Sequence, residues 1–167
     1  SAQAHYKAAY EIDKKSAVGA MKAGECLWKL GLSTEAIDWM NKAIRADVKL
    51  IEAYVTLADY YSQRYNFNAA AQVLLSAKKE APKSYEVFRG FASIELRRQN
   101  PKAAIEYAKQ SLAIYDTDVE SHVVIAEAYL LVGDGRQAYA HASRAAELDV
   151  NHRKAQIIFG RSLGGVQ

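Results

Sequence analysis

The sequence superposes on itself at a fixed shift of 34 residues. Alanine recurs at Ala36, Ala70, Ala104 and Ala138, and Ala2 falls in the same phase. A second small-residue series, Gly24, Ala58, Ala92, Ala126 and Gly160, keeps that spacing, and a third runs Ala9, Ala43, Ala77, Ser111 and Ala145. A period of this length predicts stacked copies of one supersecondary unit. The small residues fall on two helical stretches of each unit, where they let two backbones approach that larger side chains would hold apart. Each unit is therefore expected to be a helix hairpin. Bulky residues fill the other contact positions: Tyr54, Leu57, Tyr61 and Leu74 in one unit, Phe88 and Phe91 in the next, Ile125 and Tyr129 in the one after.

Four whole units follow, at 17–50, 51–84, 85–118 and 119–152. Helix punctuation shares their period. Asn66, Asn100 and Asp134 are placed to accept a bond from an orphan amide at the start of a second helix, and Ser16, Ser84 and Asp118 at the start of a first. Pro101 suits a first helical position, and Pro82 follows the end of a second helix. The turn near Leu32 breaks the pattern, and Ser33 or Thr34 is the expected cap there. In the same phase, residues 1–16 read as the second helix of a preceding unit. Residues 153–167 read as the first helix of a following unit or as a capping helix, so the chain reads as a piece of a longer array.

Composition agrees with helices: two prolines, nine glycines and half the residues hydrophobic. The single cysteine, Cys26, excludes an internal disulfide, and its phase, shared with Tyr60 and Ala128, marks it as a buried packing residue. No apolar run is long enough to span a bilayer, and a net charge of +3 in scattered positions forms no basic stripe. The compartment stays open, cytoplasmic or bacterial periplasmic.

The units resemble the tetratricopeptide repeat (TPR), whose pattern places an aromatic residue, Leu, Gly or Ala, and Tyr on the first helix, then Ala, a bulky residue and Pro. Residues 51–84 carry it through Tyr54, Leu57, Ala58, Tyr61, Ala70, Leu74, Ala77 and Pro82, while Ala20, Ala23 and Glu95 depart from it. The resemblance implies an all-α, right-handed superhelical solenoid of antiparallel helix hairpins, whose concave face, lined by first helices, binds a peptide or helix of another protein. By that analogy the groove residues are Met21, Lys22, Glu25, Trp28, Lys29, Val55, Thr56, Asp59, Gln63, Arg89, Ser93, Arg97, Val123, Val124, Glu127 and Leu131.

Two features of that set bear on the partner. Glu25, Asp59 and Glu127 share one phase and are expected to form a partly acidic strip, while Val123, Val124, Leu130, Leu131, Ile157 and Ile158 make an apolar C-terminal end. A partner with basic residues followed by an apolar anchor suits such a surface. The resemblance also implies a test for chaperone-tail binding, which needs Lys, Asn and Arg at fixed groove positions. Those positions hold Met21, Glu25, Thr56, Glu86 and Gly90 in one register and Val55, Asp59, Gly90, Glu120 and Val124 in the next, so chaperone C-terminal tails are excluded.

Other features read as structural. Glu52, Glu86 and Glu120 occupy first turns, where carboxylates interact well with the helix N-terminus. His5, His122, His141 and His152 lack paired spacing, so no metal or other cofactor is expected. GDGR at 133–136 lacks the spacing of a phosphate loop, and no catalytic constellation stands out. The expected function is a protein-interaction scaffold within a multiprotein assembly, with bacterial envelope, secretion or pilus assembly among the settings. The alternative is a substrate-presenting array of a larger enzyme such as a glycosyltransferase. RNA binding ranks third, because no aromatic and basic row runs along the units. End-to-end self-association through the terminal helices is a further expectation.

Overall fold

In a computed structural model, the structure describes residue 4 and residues 16–165. The expectation for residues 1–16 otherwise lies outside the described residues. The chain divides into two compact units, Ser1–Pro82 and Lys83–Gln167. The first holds α1 (Ala17–Lys29), α2 (Ser33–Ala46), α3 (Ile51–Gln63) and α4 (Phe67–Glu80). The second holds α5 (Tyr85–Arg97), α6 (Pro101–Ile114), α7 (Val119–Val132), α8 (Gly135–Leu148) and α9 (Arg153–Ser162), closed by a 3-10 turn at Leu163–Gly165. Among the described residues there is no strand, and no helix is long and apolar enough to cross a membrane.

Each hairpin closes on its small residues. Ala36, Ala43, Ala70, Ala77, Ala104, Ala138 and Ala145 are all 0% exposed, as are Ala92 and Ala126 on the facing first helices. In the first unit Ala36 and Ala43 pack around Met21, Met40 and Leu57; in the second Ala92 and Ala104 pack with Ile125, and Ala126 and Ala145 with Val123.

The turns inside the hairpins share one geometry. Gly31, Tyr65, Gln99 and Gly133, 34 residues apart, all have positive φ, at 79°, 59°, 62° and 83°. Directly after each, a backbone amide reaches back to the carbonyl five residues earlier: Leu32 to Leu27 at 3.0 Å, and Asn66 to Tyr61, Asn100 to Glu95 and Asp134 to Tyr129 at 2.9 Å. This left-handed stop satisfies carbonyls that the helix end leaves open. Glycine adopts it freely, whereas an L side chain at such an angle costs about 1–2 kcal/mol. Gln99 is exposed, so replacing it by glycine should relieve that strain. We expect Gln99→Gly to stabilise by about 0.5–1 kcal/mol after the extra unfolded-state entropy of glycine, read as a higher urea midpoint.

The caps match the sequence in part. Side chains of Ser16, Asn66, Asp118 and Asp134 accept from the amides of Gly19, Ala69, Ser121 and Gln137. Ser84 and Asn100 make no such bond. Asn100 instead donates its side-chain amide to Glu95 Oε2 at 3.0 Å, and Pro101 begins α6 without needing a partner for a missing N–H. Neither Ser33 nor Thr34 caps α2. Leu32 holds that position, because the positive-φ turn at Gly31 fixes where the helix restarts.

Candidate partner-binding face

In the first unit, α1 and α3 are the first helices of successive hairpins, joined by an aromatic stack. The Trp28 and Tyr60 rings lie parallel, 4.0 Å between centroids and 2° between planes. Tyr60 is buried, Trp28 half-buried. Glu25 lies three residues before Trp28 on α1 and Asp59 directly precedes Tyr60 on α3. Their charges meet at the Tyr60 phenol, whose pKa is pushed up to about 12 by burial first, then by Glu25, then by Asp59. Glu25 pairs with Lys22 at 3.0 Å, and Asp59 accepts from Gln63 Nε2 at 2.6 Å. Lys29 is exposed, and Val55 and Thr56 are half-buried. Met21 is a correction to the expected surface. It is 1% exposed and packs with Ala36, Met40 and Leu57, because its position turns toward the hairpin interior.

In the second unit the expected residues divide further. Arg89 is bound to Asp118, with Nη1 2.9 Å from Oδ1, so its guanidinium serves the interior of the fold. Ser93 is half-buried and Arg97 exposed. Val123 and Val124 are 1% and 7% exposed. Val123 packs with Ala126, Ala142, Ala155 and Ile158, and Val124 with Ile125, Ala128 and Leu96, so neither offers a surface. α9 covers Val123, and the apolar end is reduced to Leu131, 52% exposed on α7, and Ile157, 46% exposed on α9. Glu127 Oε2 lies 2.7 Å from Lys154 Nζ as an ion pair without hydrogen-bond direction. Each member of the acidic phase thus has a partner in the chain.

Two polar arrangements escaped the sequence reading. His122 on α7 meets His141 on α8, with Nδ1 atoms 3.0 Å apart. Spacing along one helix cannot show a contact across a hairpin, yet the same two phases hold Phe88 and Tyr107 in the preceding unit, which marks them as bulky. The other is His152, which caps α9 by accepting from the Ala155 amide at 3.1 Å while its Nε2 meets Glu120 Oε1 at 2.6 Å. Glu120, read as a first-turn acid, thereby also ties α7 to the start of α9. Among the described residues no group of three or more His, Cys, Asp or Glu is placed to hold a metal ion.

No family model and no curated protein sequence matches the chain. Solved structures do. The thermophilic TPR protein TTC0263 of Thermus thermophilus superposes with a TM-score of 0.84 at 18% identity, covering 97% of this chain and 89% of that one. Yeast Tom70 gives 0.80 at 18% identity, covering 96% of this chain and 35% of that longer one. YrrB, described as a TPR protein with an unusual peptide-binding site, gives 0.58 at 18% identity, covering 95% of this chain and 82% of that one. The chain therefore has the all-α tetratricopeptide-repeat fold.

Proposed function

We propose that this protein is a non-catalytic interaction scaffold that holds a peptide or helix of a partner protein on its first-helix faces, within a multiprotein assembly. The observation that carries this reading is the Trp28–Tyr60 stack bordered by Glu25 and Asp59. An indole partly open to solvent beside two carboxylates is chemically suited to an arginine or lysine side chain, through cation–π contact and paired charge. Leu131 and Ile157, exposed in the second unit, suit an apolar anchor. The peptide-binding description of YrrB, a protein of the same fold, is consistent with this use of the surface.

Selection of random peptides on the protein tests the reading. Arginine and lysine should be enriched among the binders, and Glu25→Gln with Asp59→Asn should weaken the best of them about tenfold, as roughly 1–1.5 kcal/mol of exposed charge pairing would. Binders without basic residues, or binders indifferent to the double substitution, would remove Glu25 and Asp59 from the site.

A further inference from the structure

Among the described residues, α9 is a first helix without a second. Its inner face is used as in the other units: Ala155 and Ile158 pack with Val123 and Ala142, and the Phe159 ring lies 5.2 Å from that of Tyr139. Its other face is open. Ile157, Gly160 and Leu163 keep the phases of Met21, Gly24 and Leu27, which meet Ala36 and Met40 of α2 in the first hairpin. Met21 is 1% and Leu27 7% exposed, against 46% for Ile157 and 48% for Leu163. A Cβ on Gly24 would sit 3.0 Å from the Ala36 carbonyl oxygen, whereas one on Gly160 would have nothing within 4 Å.

The half-hairpin formed by α9 therefore calls for a second helix patterned like α2, with small residues at the phases of Ala36 and Ala43 and a bulky one at that of Met40. Residues 1–16 carry that pattern, with Ala2, Ala9 and Tyr6 at those phases. The registers fit as well. Gln167 falls on the phase of Gly31 and Ser1 on that of Glu35, so the two ends combine into a unit that lacks only the positions of Leu32, Ser33 and Thr34. None of those three is fully buried in the first hairpin.

We propose that α9 of one copy accepts residues 1–16 of a second copy as the second helix of a shared hairpin, so that the chain assembles head to tail. The two surfaces differ, so the contact is heterologous and does not stop at a dimer: each copy brings one acceptor, α9, and one donor segment. A helix of this length is marginal alone and gains its stability by docking, so association is expected at about 10–100 μM. The shared hairpin covers Ile157, which leaves Leu131 as the apolar anchor of the partner-binding face in the assembled array.

Sedimentation equilibrium of the full chain tests the assembly, with one variant for each surface. Gly160→Glu puts a carboxylate into the contact at a position with open space in its own chain, and Ala9→Glu does so at the phase where Ala43 is 0% exposed. At about 0.3 mM wild type should exceed twice the chain mass, while each variant alone should stay monomeric. An equal mixture of the two variants should form one heterodimer and nothing larger, because only the donor segment of the Gly160→Glu chain and the α9 of the Ala9→Glu chain can still join. That recovery also shows that both variants are folded. A wild type that stays monomeric at this concentration, a variant that associates by itself, or a mixture that stays monomeric overturns the proposal and leaves the open face of α9 to a different occupant.

Discussion

Replacing Asp118 with alanine should destabilise the protein by about 3 kcal/mol, the larger part from leaving Arg89 without its counter-charge and about 1 kcal/mol from the lost cap. The carboxylate has three partners. Oδ2 accepts from the Ser121 amide at 3.0 Å and from its hydroxyl at 2.5 Å, and Oδ1 holds Arg89 Nη1 at 2.9 Å. Ser111 Oγ lies 2.8 Å from Ser121 Oγ and 2.9 Å from the Tyr85 carbonyl oxygen, and its single hydrogen goes to one or the other, so the cluster brings α5, α6 and α7 together at Ser111. The side chains of Arg89 and Asp118 are 23% and 9% exposed, too sheltered for water to replace a lost partner cheaply. Asp118→Asn keeps a cap acceptor and should cost about half as much. Arg89→Ala, which leaves Asp118 its two Ser121 bonds, should cost about 1 kcal/mol. Urea unfolding followed by circular dichroism gives all three, and a wild-type midpoint for Asp118→Ala would show that the network is not structural.

The same network shows what a repeat pattern can and cannot convey. Ser111 stands where Ala43, Ala77 and Ala145 stand, and its small size was legible because the phase admits nothing larger. That its hydroxyl lies against Ser121 depends on a serine in another helix, and no periodicity encodes that contact. The turns behave alike. A left-handed residue is easily foreseen at Gly31 and Gly133, whereas Tyr65 and Gln99 adopt it because the reach-back amide bond outweighs their local preference. Tyr65, 81% exposed, offsets part of that strain with its ring against Phe67.

For the candidate face, the family analogy assigned the same five first-helix positions to the surface in every unit. The position of Met21 and Val123 instead turns inward, since a helix side chain leans over its own N-terminal turn and there meets the hairpin core. The phase of Glu25, Asp59 and Glu127 stays at least partly accessible, and what the sequence could not convey is that each acid already has a partner. On the proposed reading, a partner's cation would compete with Lys22 and Gln63 in the first unit, so selectivity there would rest on the Trp28 ring as much as on charge.

Gly24→Leu should cost about 3 kcal/mol, the upper range for overpacking a close helix contact. A Cβ at this position would sit 3.0 Å from the Ala36 carbonyl oxygen and 3.1 Å from Met40 Cε. The methionine end can swing aside, but the carbonyl belongs to the α2 backbone and yields only if the hairpin opens. Gly24→Ala meets the same oxygen with a single methyl and gains about 1 kcal/mol of helix propensity, so it should lie within about 1 kcal/mol of wild type. The equivalent positions carry alanine in the next three units, at Ala58, Ala92 and Ala126, which shows that the contact tolerates one methyl once the backbones adjust. Both tryptophans, Trp28 and Trp39, lie on α1 and α2, so fluorescence-detected thermal unfolding reads this hairpin directly. For a chain of this size the leucine variant should melt roughly 10 °C lower. Because Trp28 stacks on Tyr60 only while α1 keeps its place, any basic peptide bound there should be released at that lowered transition, and the alanine variant should retain it. A leucine variant that melts with wild type would mean that α1 and α2 do not meet at Gly24.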